Sequence, residues 1–443
     1  MSKPLPTHLD PRVRGLRDSA TIAINERSNT LLSAGRDIYK LGLGQSPFPV
    51  PAPVVEVLRA HAHEKDYLPV RGLAPLRAAV ADFHRRREGI DCAAEDVLIG
   101  PGSKELIFLL QLVYGADLLL PAPSWVSYAP QAAMLGRHVH HLPTSAETGW
   151  RLQPERLDEA LRQLAKQRPE RARLLILNYP CNPTGTSLGA DALRAIAAVA
   201  RRHQLLLLSD EIYGELHHRG QHVSIARDYP EGTIIASGLS KWCGAGGWRL
   251  GSMVFPRTMR WLLDAMASAA SETYTSASAP IQYAAVRAFR GGPELDRYVE
   301  HSRAVVAALG SWMAARLNAA SLPCPEPDGG FYLFVSFEPH RARLHASDIR
   351  DSKALCERIL ADADVATLPA ADFGRPDREL ICRLAYVDFD GASALTAAAE
   401  ARASGDDSAD WASTLDEAFL RRHCPRVCEA TERLIRWVAD LGT

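Results

Sequence analysis

The chain has 443 residues, and 51 basic against 52 acidic side chains leave a formal net charge of −1. At roughly 100–200 residues per domain, that length predicts two or three domains, and 47% hydrophobic residues suit an ordinary globular protein. The neutral balance argues against a nucleic-acid binder or an anionic-membrane binder, and no apolar run approaches the ~18 residues of a membrane span.

The amino-terminal stretch Met1–Ser19 is polar and proline-bearing, without the apolar core of a signal peptide. Eight cysteines are scattered with no CxxC pair, so they are expected as reduced thiols in a cytoplasmic protein, with no metal site. A short strand-like piece, Asp37–Leu43, runs into Gly44-Gln45-Ser46-Pro47-Phe48. From about residue 50 to 300, short apolar runs alternate with helical patterns. The runs are Val97–Ile99, Asp117–Leu120, Leu174–Leu177, Leu205–Ser209 and Thr233–Ala236, and Lys104–Val113 and Asp191–His203 are helical. Such alternation predicts an α/β fold, a mostly parallel sheet flanked by helices, in a large domain spanning 50–300. Beyond it come a long amphipathic segment, Leu295–Asn318, and a strand within Gly329–Val335. A helix at Ser352–Ala363, a strand at Leu380–Tyr386 and a terminal helix at Val427–Leu441 follow. These predict a smaller α+β domain formed by 1–49 with 301–443. The alanine-rich stretch Ala392–Ser413 reads as an exposed loop or insertion.

Three consecutive apolar strands end in chemistry-bearing residues. Leu174–Leu177 runs into Asn178-Tyr179-Pro180-Cys181-Asn182-Pro183-Thr184-Gly185, Leu205–Ser209 into Asp210-Glu211-Ile212-Tyr213, and Thr233–Ala236 into Ser237-Gly238-Leu239-Ser240-Lys241. Each interval is about one βαβ unit, so parallel strands would gather Asn182, Asp210, Tyr213 and Lys241 at one carboxyl edge, where open α/β sheets bind ligands. A desolvated amine can join an aldehyde, and a carboxylate can keep a pyridine nitrogen protonated. The set therefore suits pyridoxal phosphate. Arg249, in Gly246-Gly247-Trp248-Arg249, supplies a fork that matches phosphate. Gly100-Pro101-Gly102-Ser103-Lys104 opens a helix whose amino terminus would cradle the same group. Trp125 is placed to stack on the cofactor ring.

On these motifs the chain resembles the class I/II aminotransferases, pyridoxal-phosphate enzymes of the aspartate aminotransferase fold, over roughly residues 35–390. Tyr67-Leu68-Pro69-Val70-Arg71-Gly72 resembles the family's dimer-contact segment, and Arg383-Leu384-Ala385-Tyr386 resembles its carboxylate-binding segment. The resemblance implies Lys241 as Schiff-base lysine and proton shuttle, Asp210 at the pyridinium nitrogen, and Asn182 and Tyr213 at the ring oxygen. It further implies Ser103, Lys104, Ser240 and Arg249 at the phosphate, with Tyr67 reaching it from the partner of a homodimer. Gly44 and Arg383 would meet the substrate carboxylate. Gly238 stands where many relatives carry a phosphate-binding serine.

The implied reaction is amino transfer from an L-amino acid to a 2-oxo acid. A lyase, synthase or oxidase on the same fold is the alternative, and a non-catalytic effector domain a remote one. Dicarboxylate specialists resembling this chain carry an arginine before a Tyr-Ser/Thr segment. Here that segment reads Ser271-Glu272-Thr273-Tyr274, which predicts poor use of aspartate unless a cation such as Arg71 or Lys40 enters from elsewhere.

Overall fold

The computed structural model describes residues 8–16, 18–404 and 411–441. Its strands, in chain order, are β1 (Tyr39–Lys40), β2 (Val97–Gly100), β3 (Asp117–Ala122), β4 (Val139–Pro143), β5 (Arg173–Asn178) and β6 (Leu206–Asp210). They continue with β7 (Thr233–Gly238), β8 (Gly251–Val254), β9 (Tyr332–Ser336), β10 (Val365–Ala366), β11 (Leu368–Pro369) and β12 (Ile381–Ala385).

Seven of these form one sheet in the order β2-β8-β7-β6-β5-β3-β4. Only β8 runs antiparallel to its neighbours; the other pairings are parallel. The leucine runs of β5 and β6 have no polar alternation because both faces are covered. Leu106, Ile107 and Leu110, from the helix Ser103–Val113, join the core on one face. On the other, Leu157 and Leu161 of Pro154–Gln167 and Leu193 and Ile196 of Ala190–Arg202 do so.

A smaller antiparallel sheet, β11-β12-β9, lies beyond the 27-residue helix Pro293–Ala319. The amino-terminal part returns to this region, with Tyr39 and Lys40 of β1 paired in parallel with Val365 and Ala366 of β10. Segments that precede and follow the large sheet in sequence thus pair with each other.

One expectation is corrected. Most of Ala392–Ser413 is not loop but helix, which spans Gly391–Ser404. Asp390 caps it by accepting from the Ala392 and Ser393 N–H groups at 3.0 and 3.1 Å, and alanine has the highest intrinsic helix propensity. Ala394 and Ala398 are buried in the same core as Leu309 of Pro293–Ala319. Small apolar side chains suffice for that close packing, so the segment shows no large hydrophobic stripe. Residues 405–410 of the stretch lie outside the described residues.

Candidate active site

The carboxyl ends of β5, β6 and β7 open into a cavity of about 390 Å³. Of the residues expected from sequence, Gly44, Ser103, Lys104, Trp125, Asn182, Asp210, Tyr213, Ser240, Lys241, Arg249 and Arg383 all line it. Tyr67 does not. It stands 89% exposed between the helices Ala52–Ala60 and Ala74–Glu88.

Asp210 closes β6 at the cavity floor and is 3% exposed. Tyr128 donates to its Oδ2 at 2.5 Å, and the Ile212 N–H donates to its Oδ1 at 3.3 Å. Burial nevertheless pushes its carboxyl up to about 6, because the desolvation outweighs those hydrogen bonds. Asn178 ties the neighbouring loop to this strand end. Its amide donates to the Asp210 carbonyl at 2.9 Å, and its side-chain oxygen accepts from the Asn182 N–H at 2.8 Å.

Lys241 follows β7 by three residues, and its ammonium donates to the Gly44 carbonyl at 2.7 Å. Desolvation, aided by the positive charges of Arg383 and Arg249, lowers its pKa to about 8. The neutral form that a nucleophile or proton acceptor requires is therefore far more accessible near neutral pH than for an ordinary lysine, although the ammonium still predominates below about 8. The Tyr213 and Tyr332 hydroxyls lie 2.7 Å apart. A Cβ on residue 44 would collide with the Tyr332 hydroxyl, so Gly44 permits the backbone to approach that close.

Arg383, on β12, is fully buried. Its guanidinium donates to Asn182 Oδ1 at 3.2 Å and to the Gly42 carbonyl, and packs 4.9 Å from the Tyr332 ring centre. Its Nε has no hydrogen-bond partner among the described residues. At the other end of the cavity, Ser103 begins a helix after Gly102, whose φ is +92°. Arg249 adopts a left-handed φ of +56° and donates to the Gly246 carbonyl at 2.9 Å. That conformation is uncommon outside glycine. Lys104 lies 5.2 Å from the Trp125 ring centre. A Cβ at Gly238 would meet the Leu250 carbonyl at 2.7 Å, so the packing of β7 against the adjoining strand favours glycine there.

The residues fit pyridoxal phosphate. The cavity pairs an anion-binding end (a helix amino terminus, Lys104 and Arg249) with a buried carboxylate, and Lys241 shares the same space. Two residues outside the expected set also shape it. Tyr128 is three after Trp125, and Tyr332 lies on the strand expected within Gly329–Val335. Neither carried a motif of its own. Ser271 and Glu272 do not line the cavity. Arg71 pairs with Asp264 and Lys40 with Asn29, and neither lines the cavity of its own chain.

Known proteins resemble this chain in sequence and fold. The family described as aminotransferase class I and II matches residues 36–387. The aspartate/prephenate aminotransferase of Thermus thermophilus is 31% identical over 370 residues, 82% of this chain and 91% of that protein. The aspartate aminotransferase of Geobacillus stearothermophilus is 32% identical over 389 residues, 85% of this chain and 94% of its own. Among solved structures, the Thermus thermophilus aspartate aminotransferase with maleate superposes with a TM-score of 0.79 at 30% identity, covering 89% of this chain and 98% of that one. An aromatic aminotransferase from Pyrococcus horikoshii gives a TM-score of 0.75 at 27% identity, covering 93% of this chain and 99% of that one.

Proposed function

The chain belongs to the class I and II aminotransferases, which use pyridoxal phosphate, and on that premise we propose that it moves amino groups from acidic amino acids to 2-oxo acids, with Lys241 as the proton carrier. The observation that carries the reading is one cavity lined by Lys241, Asp210 and Arg383 together. When bound, pyridoxal phosphate supplies an aldehyde that joins amines and a ring that accepts the electrons left at Cα.

The protein's part is positioning, charge and proton movement. Arg383 grips the substrate α-carboxylate through its guanidinium and sets which Cα bond faces Lys241. Lys241 Nζ, in its neutral form, would take the Cα proton and deliver it to the cofactor's aldehyde carbon, on the other side of the substrate nitrogen. Asp210 holds negative charge at the cavity floor, where it favours a protonated pyridine nitrogen. Asn182 and Tyr213 orient the ring oxygen side. Ser103, Lys104, Ser240 and Arg249 surround the phosphate, and Tyr67 reaches it from a second subunit of a homodimer.

Charge supports an acidic substrate. Four cations, Lys104, Lys241, Arg249 and Arg383, line the cavity against one carboxylate, Asp210. A phosphate does not use all of that positive charge, and Lys104 also borders an adjoining hollow beside Asp18–Ala20. The names of the Thermus and Geobacillus relatives agree with this choice, against the expectation from Glu272. A panel of twenty amino acids with 2-oxoglutarate tests it. Aspartate should give the highest kcat/KM, and preference for an apolar or cationic donor would overturn the assignment. The eight unpaired cysteines suit a cytoplasmic setting, and no described helix is long and apolar enough to cross a membrane.

A further inference from the structure

Tyr332 opens β9 and lines the cavity with its side chain buried, yet it has no role in the reaction above. On the three-stranded sheet Arg383 pairs with Phe334, two residues beyond Tyr332 on the same strand, so the three side chains share one face. The Tyr332 ring therefore lies against the Arg383 guanidinium, 4.9 Å from its centre, while its hydroxyl meets that of Tyr213 at 2.7 Å.

Two glycines make room for this placement. A Cβ on Gly185, in the loop that carries Asn182, would collide with the Tyr332 carbonyl, as one on Gly44 would with its hydroxyl. Tyr213, also buried, is held as closely. Its ring meets those of Phe331 and Tyr332 edge-on, with centres 5.7 and 5.5 Å apart. With both rings fixed, the freedom that remains is the direction of each hydroxyl proton.

Each phenol has one proton to donate. Tyr332 has two acceptors in reach, the Tyr213 oxygen at 2.7 Å and the Gly44 carbonyl at 3.5 Å. The first distance is usual for an O–H···O bond and the second lies beyond that range. The Gly44 carbonyl also accepts from Lys241 already, at 2.7 Å. The Tyr332 proton therefore goes to Tyr213. Tyr213 cannot donate back along the same line, and it has no other hydrogen-bond partner among the described residues. Its own O–H is left for the cavity, on the side assigned to the ring oxygen of pyridoxal phosphate. An oxygen that carries negative charge is a stronger acceptor than a neutral phenol.

We propose that Tyr332 is a positioning residue for the cofactor: by donating to Tyr213, it turns the Tyr213 proton toward the ring oxygen. The inference rests on the placement of that oxygen beside Tyr213 in the proposed function.

The test titrates cofactor-free protein with pyridoxal phosphate, followed by protein fluorescence and visible absorbance. Wild type is compared with Tyr332→Phe, Tyr213→Phe and the double variant. Tyr332→Phe keeps the ring against Arg383 and loses only the hydroxyl. It should weaken pyridoxal phosphate binding roughly three- to tenfold, the size of one net hydrogen bond. The visible band of the lysine-held cofactor should shift, while KM for the amino donor holds. Tyr213→Phe should weaken binding at least as much. Adding Tyr332→Phe to it should change neither affinity nor band further, because no proton remains to be aimed.

Unchanged affinity and spectrum in Tyr332→Phe overturn the proposal. An equal further loss in the Tyr213→Phe background also overturns it, since Tyr332 then acts without Tyr213. A KM that rises along with the cofactor constant, or a Tyr332→Phe chain that does not fold, assigns the hydroxyl to packing and overturns it as well. Failure of the underlying reading looks different: the wild type itself then takes up no pyridoxal phosphate on Lys241, and this inference falls with it.

Discussion

The Tyr128 hydroxyl donates to Asp210 Oδ2 at 2.5 Å, with both side chains buried at the cavity floor. The phenol is held far from ionising by burial and by the carboxylate's own charge, so it acts as a donor throughout. It favours the ionised form of Asp210, which burial disfavours, and, with the Ile212 N–H on Oδ1, fixes the plane of the carboxylate. Hydrogen bonds to charged groups contribute about 1.5–3 kcal/mol. Tyr128→Phe should therefore lower kcat by roughly ten- to hundredfold and loosen pyridoxal phosphate, with little change in KM. Steady-state kinetics and a cofactor titration read this, and unchanged values for both would remove Tyr128 from the machinery.

Lys241→Ala removes the amine that the cavity is arranged around. Among the described residues its ammonium donates to the Gly44 carbonyl alone, and burial disfavours its charge, so the substitution should leave the fold intact. Turnover should fall to background, and the visible absorbance of lysine-held cofactor should vanish while the phosphate contacts still retain some pyridoxal phosphate. Near-normal turnover in this variant would refute the assignment.

The lowered Lys241 pKa, about 8, makes a pH prediction with a definite sign. Only the neutral amine attacks an aldehyde, so uptake of pyridoxal phosphate by the cofactor-free protein should rise with pH and level off above about 8. One unit below that midpoint the rate should be roughly a tenth of the plateau. Arg383 is the first of the charges that depress the amine. Arg383→Leu should therefore move the midpoint upward, toward the ordinary lysine value. A midpoint that stays put in the variant, or uptake that falls with pH, would contradict this account.

Much of the site was legible before any coordinates because parallel strands impose order. Residues after Leu177, Ser209 and Ala236 sit one βαβ unit apart, and adjacent parallel strands bring such positions to one edge. Asn178 pairs with Asp210 across β5 and β6, and Asp210 with Ala236 across β6 and β7, as that logic demands. Tyr128 and Tyr332 escaped it. Each depends on contact between segments distant in sequence, such as Tyr128 with Asp210, 82 residues apart. The helix Gly391–Ser404 escaped for another reason. Its packing uses alanines, which leave no large-residue periodicity to read.

The last prediction concerns Tyr67. Its side chain is 89% exposed and lies outside the cavity of its own chain, an unusual place for an aromatic side chain unless another surface covers it. If a second copy of this chain receives it, each active site is built from two chains: Lys241 from one and Tyr67 from the other. Lys241→Ala and Tyr67→Ala proteins would then be inactive or weak alone but complementary when mixed. In a hybrid dimer, one site has both defects and the other has neither. With random exchange at equal amounts, half of the dimers are hybrids with one intact site of two, so activity should approach about a quarter of the wild-type value. Subunit exchange followed by assay reads this, with sedimentation to establish the dimer. No gain on mixing exchanged chains, or a fully active monomer, would show that each chain completes its site alone.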